Sequence, residues 1–212
     1  MKYFSRISVF SVAILVASLA SWSFNVSAKM PILKGIGGDF TLASSNGHDV
    51  SLSDFKEKVV LIFFGYTNCA DICPTTVAHI NQMMKKLTAV QRAKVQVLFI
   101  SFDSEYDTPK HLNKYLNYFN PSFIGLVDVQ EKVNQVAKLY HAEFSKLADE
   151  KVTVEYKKLS VEDKDTAQRK GYLYSHSAKI FVIDRKSRVR GFFYTGTPLT
   201  DMRDQVVELL NN

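Results

Sequence analysis

Residues 59–74 read Val59-Val60-Leu61-Ile62-Phe63-Phe64-Gly65-Tyr66-Thr67-Asn68-Cys69-Ala70-Asp71-Ile72-Cys73-Pro74. The first six are apolar without a break, which predicts a strand covered on both faces and hence central in its sheet. Gly65 to Ile72 then reads as a loop, and Pro74 can start a helix because the first turn has no internal use for its N–H. This strand-loop-helix junction carries Cys69 and Cys73, the only cysteines among the 212 residues.

Outward from that junction, strands and helices alternate. Val95–Ile100 is a second buried strand, Thr108-Pro109 caps and starts a helix to about Asn117, and Phe123–Leu126 is a short strand. Val77, Ile80, Met84 and Leu87 recur at helical spacing up to about Val90, as do Val129, Val133, Val136 and Tyr140. The methionines read as core filling. Lys179–Ile183 and Arg190–Tyr194 are strands around a turn at Asp184–Ser187, and Pro198 starts a last helix with Met202, Val206 and Leu209 inward. Before the junction, Phe40–Leu42 and Val50–Leu52 pair across Ser45-Asn46-Gly47, a tight-turn sequence. The order predicts an α/β layer fold with parallel neighbours.

Two stretches lie outside that rhythm. Residues 145–170 are crowded with lysines, arginines and acids and read as a solvent-exposed hairpin or flap inserted in the domain. At the start, Lys2 and Arg6 precede an uncharged run from Ile7 to Phe24, followed by Val26-Ser27-Ala28, the pattern of an export signal. Residues 1–28 are therefore expected to be a signal peptide or an N-terminal membrane anchor, with residues 29–212 as the domain. Losing Lys2 and Arg6 lowers the net charge from +6 to +4. The remaining excess is spread through Lys85-Lys86, Lys157-Lys158 and Arg185 to Arg190. These read as solvated faces, and with no aromatic-interleaved basic stripe a nucleic-acid partner is not expected.

The two cysteines point to chemistry more than to stapling, since a bridge closing so small a loop restrains the unfolded chain little. Their place at a helix N-terminus is expected to favour the thiolate, the form that binds metal and attacks disulfides. Cys69-x-x-x-Cys73 is one residue wider than a Cys-x-x-Cys exchange pair, which favours bidentate metal binding while leaving a disulfide possible. Soft thiolates select copper(I), and an added imidazole also accommodates copper(II). Zinc competes, but its structural sites need a second ligand pair that this chain lacks. Among five histidines, His48, His111 and His141 fall on expected surface elements and His79 points away from the loop. His176, just before the strand Lys179–Ile183, falls beside the cysteine loop in a thioredoxin-like layout.

With those residues in view, Phe64 to Thr76 resembles the signature of the Sco/SenC family, copper-handling proteins of cytochrome c oxidase assembly. Asp103 with Asp107-Thr108-Pro109, Phe123–Leu126 and Ser175-His176-Ser177 are similar to its later segments, so the likeness runs from about Gly38 to Leu210. It implies an α/β, thioredoxin-like fold with an N-terminal β-hairpin and an inserted flap before the histidine loop. It implies copper, Cu(I) or Cu(II), held by Cys69, Cys73 and His176. It implies a metallochaperone in the periplasm or an equivalent exported compartment, touching the membrane only through its N-terminal segment. Its partners would be the copper-receiving subunit of cytochrome c oxidase, at the binuclear copper site, and other copper chaperones. The alternative is an exported thiol-disulfide oxidoreductase in which Cys69 and Cys73 are catalytic. Asn68, Ala70 and Ser175 stand where the family commonly has histidine, proline and aspartate.

Overall fold

In the computed structural model, which describes residues 29–147 and 173–212, β3 (Val59–Gly65) is buried along its whole length. It is the middle strand of a five-stranded sheet ordered β5-β4-β3-β8-β9, where β4 is Val95–Ser101, β5 Ile124–Leu126, β8 Ile180–Ile183 and β9 Val189–Phe193. β4 and β5 run parallel to β3. β8 and β9 run antiparallel to their neighbours, so the expectation of parallel neighbours holds for only half the sheet. For β8 and β9 the reason is local, since the tight turn at Asp184–Ser187 can join only antiparallel strands, while the direction of β8 against β3 follows from how the chain returns to the sheet.

Helices cover both faces, as a sheet without a polar side requires. They are α1 (Ile72–Lys85), α2 (Ala89–Ala93), α3 (Pro109–Phe119), α4 (Gln130–Leu139) and α5 (Leu199–Leu210). The apolar repeat expected to carry one helix to Val90 is interrupted. Thr88 accepts a hydrogen bond from the Gln91 N–H at 3.2 Å and Gln91 caps Thr88 in return, so a second short helix starts there. Val90 is consequently 70% exposed, and Val129, expected on an apolar helical face, is the cap of α4 and 63% exposed.

The hairpin β1 (Thr41–Ala43) and β2 (Asp49–Ser51) forms as expected, with Gly47 at φ 84° in its turn. It covers the β5 edge through Ser45 N–H to Gly125 C=O at 2.8 Å and Val127 N–H to Ala43 C=O at 3.0 Å. At the other edge, Leu33 N–H donates to Val189 C=O at 2.9 Å, so the segment entering the domain shields β9. The fold is thioredoxin-like, with the N-terminal hairpin added.

The insertion is described only at its base. β6 (Phe144–Leu147) pairs antiparallel with β7 (Leu173–His176), Phe144 opposite His176. The body of the expected flap, with Lys157-Lys158, and the expected signal peptide or anchor at 1–28 lie outside the described residues. Among the described residues, no helix is long and apolar enough to cross a membrane.

Candidate metal centre

The central strand ends at Gly65, and the loop that follows is held by side chains from three directions. Gly65 has no room for a side chain: a Cβ there would lie 3.1 Å from Cys73 Sγ, 3.1 Å from Phe99 and 3.0 Å from Phe63. Thr67 donates its backbone N–H to Asp107 at 3.0 Å and its hydroxyl to the same carboxylate. Ser101 donates to Asp107 at 2.5 Å, so this buried carboxylate ties the end of β4 to the cysteine loop. Burial raises the Asp107 pKa, and its bonds from Ser101 and Thr67 oppose the rise. The Nδ1 of His111 lies 3.8 Å from Asp107 and its ring packs edge-on against Tyr106, so His111 is not the plain solvated imidazole expected.

α1 begins at Ile72, two residues earlier than Pro74 implied, and this places Cys73 inside the first turn. Both cysteines are free thiols. Cys73 is fully buried and Cys69 is half-buried, and the Cys73 N–H donates to Cys69 Sγ at 3.4 Å. The helix start does not lower the Cys73 thiol as expected. Its hydrogen bond with Cys69 and its burial push it up, against a weaker opposing bond from the Tyr66 backbone. Proximity of two groups that cannot both become anions cheaply outweighs the helix dipole.

Tyr66 serves both sulfurs. Its backbone bonds to Cys73, and its hydroxyl bonds to Cys69. The same hydroxyl accepts the Tyr174 N–H from β7 at 3.2 Å, and its pKa is pushed up to about 12, chiefly by burial. Around it, Tyr66, Phe102, Phe144 and Tyr174 form one aromatic cluster, with Phe102 stacked on Phe144 at 4.6 Å and Tyr66 edge-on to Tyr174 at 5.1 Å. Tyr174 is also hydrogen-bonded to the buried Asp103.

The backbone of His176 thus ends a strand that is fastened to the cysteine loop two residues earlier. Its imidazole is outside what the structure describes. Among the described residues no group of three metal-ligating side chains converges, so the two sulfurs are the visible part of the expected set. His79 is accounted for otherwise, through Nε2 to the Thr197 carbonyl at 2.8 Å.

The donors around the sulfurs fit a soft cation. Asn68 Nδ2 and the Tyr115 hydroxyl are buried without a hydrogen-bond partner among the described residues, and Tyr115 feels the charge of Cys73 and Cys69 after its own burial. Metal binding turns the two thiols to thiolates, the soft anionic ligands that such a cation prefers.

Sequence reasoning found the thiol pair and missed its supports. Asp107 was visible only as part of the family-like segment Asp107-Thr108-Pro109, and nothing in the spacing linked it to Thr67 across forty residues of chain. The Tyr66 hydroxyl had a weak signal, a polar tip at the end of an otherwise apolar strand.

Fold and site together define a thioredoxin-like dithiol protein. The chain belongs to the SCO1/SenC family, whose model matches residues 29–211. An SCO2-like protein of Rickettsia conorii is 31% identical over 179 residues, 84% of this chain and 76% of its own. Among solved structures, Bradyrhizobium japonicum ScoI with copper bound superposes with a TM-score of 0.68 at 29% identity, covering 82% of this chain and 99% of that one. Yeast Sco1 with copper bound gives 0.69 at 25% identity, covering 84% and 90%. Homologous structures therefore hold copper.

Proposed function

We propose that this chain is a copper metallochaperone that binds the ion through Cys69, Cys73 and His176. It delivers the ion to the binuclear copper site of cytochrome c oxidase during assembly of the enzyme. The cargo copper(I) suits two thiolates and one imidazole, a low-coordinate set that a receiving protein's ligands displace stepwise. Copper loading displaces the thiol protons, so the raised Cys73 thiol makes binding favour higher pH. The receiving subunit and other copper chaperones are the partners, in the periplasm or an equivalent exported compartment. Residues 1–28 serve as signal peptide or anchor and residues 29–212 as the copper-binding domain.

The single observation that carries this reading is the pair of hydrogen-bonded free thiols, one buried and one half-buried, beside the strand that ends in His176. The same adjacency favours a second reading, a thiol-disulfide oxidoreductase. There the two thiols give up two electrons and two protons to a partner disulfide, closing a bridge between Cys69 and Cys73 while the partner becomes a dithiol. His176→Ala separates the two. The metallochaperone reading expects His176→Ala to lose copper affinity while the dithiol still oxidises reversibly. Undiminished copper(I) and copper(II) binding by His176→Ala would overturn the ligand set.

A further inference from the structure

The strand directions put every turn below β3 at one pole of the domain, opposite the cysteine loop. Val59 N–H, the first residue of β3, donates to Lys94 C=O at 3.0 Å, so the α2–β4 connection lies there. Glu57 N–H donates to Arg185 C=O at 3.1 Å, which brings in the β8–β9 turn, and Arg185 reaches the carbonyl of Leu210 at the end of α5. α1 ends on the same side, with Lys85 and Lys86 leading into α2.

This pole is basic. From Lys85 to Lys94 the chain carries four cations and no acid. Lys85, Lys86, Arg92, Lys94 and Lys186 are exposed and form no ion pair among the described residues. Of the acids nearby, Glu57 pairs with Arg185 and Asp184 with Arg188 and Arg190, whereas Asp54 and Glu208 form no ion pair among the described residues, so the cations still outnumber the unpaired acids. Lys85-Lys86 and Arg185 to Arg190, which looked like separate solvated faces in sequence, lie at this one pole of the fold. An exposed apolar side chain, Val90, stands among these cations.

The leading segment enters the domain at this pole. Arg190, itself buried, donates to the carbonyls of Met30 and Pro31, the latter at 3.2 Å. Lys29 reaches Asn212, beyond the end of α5, at 2.9 Å. Immediately before Lys29 in the chain comes the segment containing the uncharged run Ile7–Phe24. At the other pole, about 20 Å away along the seven residues of β3 at the usual rise, the cysteine loop contains Asp71 and is hydrogen-bonded to the buried Asp107.

We infer that the basic pole is a docking surface for anionic phospholipid headgroups. It seats the domain on the membrane with Cys69 and Cys73 facing outward. Each lysine or arginine near such a surface adds to the attraction, and Val90 can enter the interfacial layer between them. Charge complementarity and the exit of an apolar segment at the same place favour a lipid surface over an acidic protein. The inference rests on the exported reading above. Copper does not enter its test, so either can fail without the other.

The test uses the chain from Lys29 onward, since the solved ScoI that this domain covers at 99% is a folded unit of that extent. Sedimentation with phosphatidylcholine vesicles, with and without phosphatidylglycerol, is compared for the wild type, for Lys85→Glu/Lys86→Glu/Lys94→Glu, and for Lys110→Glu/Lys114→Glu on α3. Wild type is expected to bind only the phosphatidylglycerol vesicles and to release at high salt. The pole variant is expected to lose about tenfold or more in partitioning, and the α3 variant to stay within about twofold. Absence of wild-type binding, or equal losses in both variants, would overturn the inference. Thermal melts confirm that the variants fold, and the reversed lysines are exposed without ion pairs.

Discussion

The backbone N–H of Tyr174 donates to the hydroxyl of Tyr66 at 3.2 Å, and that hydroxyl also bonds to Cys69. One oxygen atom therefore links the strand that carries His176 to the loop that carries the sulfurs. Tyr66→Phe keeps the ring packing against Phe102 and Tyr174 but leaves the Tyr174 N–H without its partner. We expect a loss of about 1–3 kcal/mol in denaturant unfolding and about tenfold in copper(I) affinity by chelator competition. Unchanged affinity would show that the two segments are positioned independently of this oxygen.

Asp107 fixes the same loop from the opposite side. Thr67→Val removes the hydroxyl donated to a carboxylate, a bond worth about 1.5–3 kcal/mol, and unfolding measurements should show a loss of that order. The pH dependence has a defined sign. Burial raises the folded pKa of Asp107 above its unfolded value, so its favourable contribution is complete below about 3.9 and is lost as pH rises through the folded value. The stability of the wild type relative to Asp107→Asn should therefore fall as pH rises from that point. A relative stability that rises with pH would contradict the assignment.

Gly65 and Cys73 share one contact. Gly65→Ala places a methyl 3.1 Å from Cys73 Sγ and from the Phe99 ring, and overpacking of this kind costs about 1–3 kcal/mol. Thiol alkylation followed by peptide mass analysis reads the consequence. In the wild type, half-buried Cys69 should react before Cys73, which is 0% exposed and whose thiol is pushed up. In Gly65→Ala the lag of Cys73 should shorten as its sulfur is displaced. Equal rates at both cysteines in the wild type would contradict the burial difference.

Much of this was legible in the sequence because it depends on local pattern. The unbroken run Val59–Phe64 marked the central strand, Thr108-Pro109 marked the start of α3, and Asn46-Gly47 marked the hairpin turn. What remained hidden depends on distance in the chain. The antiparallel half of the sheet follows from how β8 returns to β3, and the engagement of Asp107 with Thr67 spans two helices and a strand. The direction of the Cys73 shift was misread because the helix terminus is visible in sequence, whereas burial and the bond to Cys69 are not. The basic pole was read as unrelated clusters because only the fold brings Lys94 and Arg185 to the same end of β3.

The most direct measurement is a titration of metal-free protein with copper(I) under strong reductant, wild type beside Cys69→Ala and Cys73→Ala. The account predicts one tightly held copper per wild-type chain, with each substitution abolishing tight binding. Failure of the wild type to bind one equivalent, or a cysteine variant that binds as the wild type does, would contradict it.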